Sequence, residues 1–414
     1  MAEDRAAKSN QGGKAWADIS PEQVATLIAE SRRLGWRTAL EAGSAVLPFF
    51  RKRMLSLGLG NWHLLTLRDR SDRSLDVGCG FGSLPLGLAK YYRTAVGAEF
   101  LPDRVEYATL RAREDGADTC RFARSTGHAL PFDEGTFGLV TMNGVLEWAG
   151  LYAEGDPRDL QVRMLREARR VLRPDGHVAV AIENRFAMES LLGMPDTHTG
   201  VIWPTVLPRW MADKVTRLRT GEPYRTYLYN PVGYRRLLHD AGFSSVRLFD
   251  LISSYNDYDF IVETRDAASY RFLYRNQLVR PFFGLAGRAR RILGRLSPGA
   301  LSEVSYAYLV LGGQATMTIL DPAHPVWHSL APAGADPGRF RFAVPGQGPA
   351  QLVIVCHDGE RATALVEITT EEQALGSESI LPRHLRPGLS GPLKPVAQIK
   401  RHGVSCRVFL PGLQ

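Results

Sequence analysis

A chain of 414 residues with 44% apolar and 23% charged content has room for a full α/β domain plus one or two smaller units, and its composition is that of an ordinary globular protein. No apolar run approaches membrane-spanning length, the polar first twenty residues lack a secretory apolar stretch, and Cys79, Cys120, Cys356 and Cys406 show no C-x-x-C spacing, so a cytoplasmic protein without a metal site or disulfide framework is expected. The net charge of +8 is concentrated between Arg265 and Ala300, where eight arginines face the single acid Asp266, so the rest of the chain is near neutral and the basic pI does not argue for a nucleic-acid enzyme.

Residues 1–18 are charged and small and read as a frayed terminus. Ser20-Pro21-Glu22-Gln23 looks like a helix start, opening a helical region over 1–67 that carries Trp36, Phe49, Phe50 and Trp62. A short buried strand, Leu75-Asp76-Val77-Gly78-Cys79, then runs into Gly80-Phe81-Gly82 and a helix from Ser83 to Tyr92. Glycines are needed in such a turn because a Cβ would block positive φ or the close approach of a ligand. A dinucleotide fingerprint would want a third glycine at position 83, which is Ser83; Gly78, Gly80 and Gly82 form the tighter G-x-G-x-G. The second strand, Thr94 to Glu99, ends on an acid one strand-helix-strand unit after Asp76, where it can accept hydrogen bonds from two ribose hydroxyls.

The next elements continue the alternation. A helix is expected over Pro102 to Asp115, strands over Thr119 to Ala123 and Phe137 to Met142, a long helix over Arg158 to Leu172, a turn at Arg173-Pro174-Asp175-Gly176 and a fifth strand over His177 to Ile182. The glycine turn, Glu99 in register and the passage Ala129-Leu130-Pro131-Phe132 through Val140 together resemble the class I S-adenosylmethionine-dependent methyltransferases, over about Leu75 to Glu263. That resemblance implies a doubly wound, seven-stranded Rossmann-like α/β sheet over 68–265 and S-adenosyl-L-methionine as cofactor, with Asp76, Gly78, Cys79, Gly80, Glu99, Phe100, Thr126, Gly127, His128 and Asn143 around it. The chain departs from the family in two places. Thr126-Gly127-His128 stands where relatives carry an acid for the adenine amino group, and Gly138 replaces the acid of the usual Phe-Asp pair.

From Glu183 to Tyr229 the alternation stops. Prolines and the set Trp203, Trp210, Tyr224, Tyr227 and Tyr229 mark an insertion after the fifth strand, over the strand ends where open α/β sheets bind ligands, and it reads as a substrate lid. Pro231 to Ala241 reads as a helix stopped by Gly242, and Val246 to Ile252 with Asp259 to Thr264 as a closing antiparallel hairpin. The segment 266–303 interleaves arginines with Phe272, Leu273, Leu278, Phe282 and Phe283: a packed helix pair with a wet basic face, or a surface for an anionic membrane or a partner protein.

The remainder, 304–414, reads as a smaller α+β accessory domain, with strands at Tyr306 to Leu311, Ala315 to Leu320, Gln351 to His357, Ala362 to Ile368, Val396 to Lys400 and Ser405 to Leu410 and a helix near Glu371 to Ser379. Its order faintly resembles the amino-terminal lobe of kinase-like phosphotransferases. Glu367 stands where that lobe needs a lysine, and no H-R-D or D-F-G motif follows.

Methyl transfer to a hydroxyl needs a base near the methyl group. The resemblance puts Glu183-Asn184-Arg185 after the fifth strand, and Asn143 through Trp148 after the fourth, beside it. Glu183 or His198 is the expected base, Glu147 the reserve, and Asn184 with Arg185 would orient the acceptor. A small molecule or a glycan of a bacterial polysaccharide or natural-product pathway, methylated on oxygen, is the expected acceptor. A nucleic-acid methyltransferase fits less well, because Asn143-Gly144-Val145-Leu146 is not the N-P-P-Y tetrapeptide and no catalytic Pro-Cys pair is present. A catalytically silent scaffold remains the alternative of a different class.

Overall fold

The computed structural model describes residues 19–42, 72–89, 91–151, 153–252, 255–256, 260–267, 270, 297–315, 339–342, 352–357, 362–370, 393–401 and 404–411. These fall into two compact units. The first takes the described residues as far as Arg247 together with those from Tyr308 to 315; the second takes the others.

In the first unit, helix α1 (Pro21–Leu34) starts on a capping box: the Ser20 side chain accepts from the Gln23 N–H while Gln23 reaches back to the Ser20 N–H. It and α2 (Trp36–Ala42) close a small core of Val24, Leu27, Ile28, Trp36 and Leu40 against Phe81 and Tyr107. The Trp36 indole N–H donates to Asp115 at 2.9 Å and its ring lies under Arg111. Phe49, Phe50 and Trp62 lie outside the described residues.

The sheet is built from β1 (Arg73–Val77), β2 (Thr94–Glu99), β3 (Cys120–Arg124), β4 (Phe137–Asn143) and β5 (Leu172–Glu183), with α3 (Ser83–Leu88), α4 (Pro102–Glu114) and α5 (Pro157–Val171) as crossovers. β1 pairs in parallel with both β2 and β4, and β2–β3 and β4–β5 are parallel as well. The resulting order β5-β4-β1-β2-β3 reverses direction between β1 and β4. This is the doubly wound arrangement, and it opens a crevice at the carboxyl ends of those two strands.

Two details differ from the sequence expectation. The turn foreseen at Arg173 to Gly176 is absorbed into β5: Phe137 pairs with Leu172 and Leu139 with His177, so six residues of β5 oppose three of β4. Arg173 stabilises the bulge by pairing with Asp72 at 2.6 Å and with Asp175. The strand expected to open the accessory domain is β8 (Ala307–Gly313), and it lies beside β5 in the first unit. Its apolar run is the reason, since Tyr308, Leu309, Val310 and Leu311 are all buried and only a central strand offers cover on both faces. A Cβ at Gly312 would come within 2.7 Å of Leu238.

Beyond β5, in the stretch the sequence suggests as a lid and called the lid below, come α6 (Met188–Leu191) and α7 (Arg209–Thr220), then α8 (Pro231–Asp240), capped by Asn230 through the Gly233 N–H. In the second unit β6 (Ser245–Ile252) and β7 (Phe260–Glu263) form the expected antiparallel pair. β9 (Arg339–Phe342), β10 (Leu352–His357), β11 (Ala362–Thr370), β12 (Leu393–Arg401) and β13 (Val404–Pro411) continue as an antiparallel series in the order β7-β9-β10-β11-β13-β12. Buried Asp250 on β6 accepts from Thr264 at 2.9 Å and from Tyr270. The expected strand Ala315 to Leu320, the helix Glu371 to Ser379 and most of 266–303 lie outside the described residues.

Candidate active site

The crevice is organised first by backbone. Gly78 and Gly82, with φ of 71° and 82°, hold the turn after β1 in the left-handed region, and a Cβ at Gly78 would sit 2.6 Å from the Val145 side chain. The turn after β1 thereby packs directly on the turn after β4. Asp76 is buried at the end of β1, and the Thr141 hydroxyl donates to it at 2.6 Å across the β1–β4 pair. Cys79 is a packed thiol: its sulfur lies 2.6 Å from where a Cβ on Gly97 would be, and burial, reinforced by Glu99 and Asp76, pushes its pKa well up.

Glu99 locks the turn to β2. One carboxylate oxygen accepts the Gly80 N–H at 2.9 Å; the other accepts the Phe100 and Leu101 N–H groups at 2.8 and 3.0 Å. A carboxylate has about four acceptor positions, so three filled by backbone leave one for a ligand hydroxyl, where the sequence suggested two. Next to it, Thr126-Gly127-His128 forms a tight loop closed by the Thr126–Ala129 bridge. Gly127 is pressed on α5, where a Cβ would meet Met164 at 2.4 Å. His128 is half-buried, and burial with nearby Arg163 keeps its pKa low, favouring the neutral ring. Gly138 also has its explanation: Asp72 occupies the space, 2.6 Å from where a Cβ would stand.

On the other side of the crevice the lid brings together residues far apart in sequence. Glu183 ends β5, with its carbonyl held by the Tyr234 hydroxyl at 2.7 Å. The Thr197 hydroxyl donates to its carboxylate at 3.1 Å. His198 lies with Nδ1 2.9 Å from Asp196 and 3.9 Å from Glu183, and with Nε2 3.7 Å from Glu147. The edge of Trp148 packs on its ring at 5.0 Å between centroids. Asp196 is fixed in turn by the Thr199 N–H and hydroxyl at 2.9 and 2.7 Å. Glu147, Glu183, Asp196 and His198 are all buried, so the charges act on one another through a poorly screening interior. Burial pushes the Glu183 carboxyl up, opposed by His198 and aided by Glu147 and Asp196. Burial also opposes charge on His198, but Asp196 and Glu183 outweigh it and hold the imidazole pKa well above its ordinary range. Asp196 is correspondingly held low, by His198 and Thr199 against its burial.

Two residues expected to orient the acceptor serve the scaffold. Asn184 turns back to accept the Phe186 N–H at 3.0 Å and bridges to Tyr229. Arg185 donates to the Thr205 and Leu207 carbonyls at 2.8 and 2.7 Å and so ties the lid down. Gln161 of α5 clips the crevice wall to the lid, donating to the Leu146 and Tyr227 carbonyls and accepting from the Tyr229 hydroxyl. Asp196, Thr197 and Glu189 were not singled out from the sequence. Glu189 on α6 is buried with neither carboxylate oxygen hydrogen-bonded, and burial raises its pKa to about 7. No cluster of three or more His, Cys, Asp or Glu suited to a metal occurs among the described residues.

Residues 75–180, which span β1 to β5 and carry every element of the crevice floor, match the family model described as a methyltransferase domain. This is a class I S-adenosylmethionine-dependent methyltransferase domain. Over 104 residues it is 32% identical to the uncharacterized methyltransferase YcgJ of Bacillus subtilis, covering 25% of this chain and 38% of that protein. Over 129 residues it is 30% identical to the demethylmenaquinone methyltransferase of Lactococcus lactis, covering 30% and 47%. The chain thus spans less than half the length of these relatives. Among solved structures, the Bacillus YcgJ protein aligns at 18% identity over 62% of this chain and 97% of its own, with a TM-score of 0.36.

The crevice fits the family's cofactor. Glu99 keeps an acceptor position beside the Gly80 N–H, on the glycine turn that follows β1. Of the other residues the resemblance places around the cofactor, Asp76 and Cys79 are buried at the end of β1 and in the turn after it, and Asn143 is buried at the end of β4.

Proposed function

We propose that this chain transfers the methyl group of S-adenosylmethionine to a hydroxyl of a small molecule or glycan, with Glu183 taking the hydroxyl proton. The observation that carries the reading is the buried Glu183–His198–Asp196 arrangement at the end of β5, next to the crevice between β1 and β4. When bound, the cofactor supplies a methyl group on a sulfonium, an electrophile that asks for in-line approach and, with a hydroxyl acceptor, a base. His198 stays charged at neutral pH and is a poor proton acceptor. Glu183, whose carboxyl pKa burial raises against the opposing charge of His198, is the better one. Thr197 fixes the carboxylate's orientation and Asp196 fixes the imidazole's. With the cofactor bound, its methyl group would pass to the acceptor oxygen and the hydroxyl proton to Glu183.

The test is mass spectrometry of candidate glycans and small metabolites incubated with protein and S-adenosylmethionine, read as the gain of one CH2. Glu183→Gln should lower turnover by about 10² to 10⁴ with cofactor affinity unchanged. Full activity in that variant removes Glu183 from the role. Absence of S-adenosylmethionine binding in a calorimetric titration would instead favour the silent scaffold.

A further inference from the structure

The lid has an outward surface that the proposed chemistry does not use. Of the eight large apolar side chains exposed among the described residues, all but Leu34 lie between Leu191 and Leu218. Globular surfaces scatter such residues singly, and concentration on one insertion marks an interaction face.

Two pieces of structure present it. The first is a narrow turn closed by the Pro195–Ile202 bridge, at whose end Trp203 has a φ of 71°, a left-handed backbone that an aromatic residue rarely adopts. The ring lies across Gly193, within 3.4 Å of where a Cβ would stand, and remains 51% exposed. The second is α7, whose first residues follow within one turn. Its inner side buries Ala212 and Thr216. Its outer face sets Trp210 and Leu218, 71% and 77% exposed, at i and i+8, with Lys214 and Arg217 between them at i+4 and i+7. Arg209, Lys214, Arg217 and Arg219 against Asp213 give the helix a charge of +3, and the exposed Lys214 and Arg217 are the cations of the stripe, Arg217 beside Asp213 at 2.9 Å.

An apolar stripe interleaved with cations is complementary to a surface that offers both hydrocarbon and negative charge within a few ångströms of depth. An anionic bilayer is such a surface: tryptophan settles at the headgroup level, and lysine and arginine stems lie along the apolar layer with their charges at the phosphates. We propose that the lid docks on an anionic membrane surface through Trp210, Lys214 and Leu218 of α7, with Trp203 beside them. The proposal is independent of the methyl acceptor.

The test is cosedimentation of the full chain with vesicles of phosphatidylcholine alone and of phosphatidylcholine mixed with phosphatidylglycerol. Binding to the mixed vesicles, weak on the neutral ones and falling with salt, is expected. Lys214→Ser with Arg217→Ser should lower partition by about 25-fold, since each cation near an anionic surface contributes on the order of a fivefold factor. Trp210→Ser with Leu218→Ser should lower it at least as far, with S-adenosylhomocysteine affinity and melting temperature unchanged. Charge reversal at Arg288, Arg290 and Arg291 should leave lid-mediated binding in place. Failure of the unaltered chain to bind the mixed vesicles overturns the proposal. So does retention of binding by both lid double variants, which would move the membrane contact to the Arg288 cluster or leave the lid to a protein partner.

Discussion

Replacing Glu99 by glutamine separates two roles that the structure combines in one carboxylate. The amide keeps an oxygen for the Phe100 and Leu101 N–H groups but turns its NH2 towards the Gly80 N–H, so that two donors face each other where a 2.9 Å hydrogen bond stood. Leaving that buried N–H without an acceptor costs about 1–3 kcal/mol of folding stability. In a domain of some 200 residues, each kcal/mol corresponds to a shift in melting temperature of about 2–4 °C. The variant also loses the one acceptor position left for a ligand hydroxyl. A hydrogen bond to a charged acceptor is worth about 1.5–3 kcal/mol, so the dissociation constant for S-adenosylhomocysteine should rise roughly 10- to 150-fold. Calorimetric titration reads the second effect, and thermal unfolding of the ligand-free protein reads the first. An unchanged dissociation constant beside a lowered melting temperature would refute ligand binding by Glu99 and leave it as an anchor of the glycine turn.

Three further outcomes follow from the same geometry. Gly82→Ala would force a residue at φ of 82° to place its Cβ 2.8 Å from Ala108 and 2.9 Å from Phe122; the start of α3 and the side of α4 cannot both hold, and urea unfolding should show a loss of about 1–3 kcal/mol. Asp196→Asn removes the charge that outweighs burial at His198, so the imidazole pKa should fall; NMR titration of the ring and the pH profile of methyl transfer should move together, and an unmoved ring titration would contradict the assignment. Glu189 has a folded-state pKa of about 7 against 4.5 for an ordinary glutamate, so the folded state binds the extra proton. Its contribution is present below pH 4.5 and is lost as pH rises through about 7, on the order of 3 kcal/mol. Glu189→Gln should flatten that decline and raise the melting temperature at pH 8, and a variant with the parent's pH dependence would show that the carboxyl is solvated.

The crevice floor was readable because its geometry is local. The glycines after β1 and the acid ending β2 lie one strand-helix-strand unit apart, and parallel pairing of Asp76 with Gly97 and of Val77 with Ala98 carries that spacing directly into space. Strand β8 was misplaced for the opposite reason: a short apolar run reveals burial but not which neighbour buries it, and β8 finds its place beside β5 after a separation of over a hundred residues. Arg185 shows the same limit. Beside Glu183 it read as orienting the acceptor, yet its donors reach two carbonyls twenty and twenty-two residues on, a contact set by how the chain after β5 folds back.

The lid cluster explains why Glu183 and His198, read as alternatives, belong to one device. His198 alone in a buried site would be neutral and able to accept a proton. The sequence pattern Asp196-Thr197-His198-Thr199 changes that within four residues: Thr199 holds Asp196, Asp196 holds the imidazolium, and Thr197 reaches the Glu183 carboxylate. A fixed positive charge 3.9 Å from Glu183 then sets how far burial can raise that carboxyl. If Glu183 is the base proposed above, substitutions in the 196–199 turn should shift the pH dependence of turnover before they affect cofactor binding.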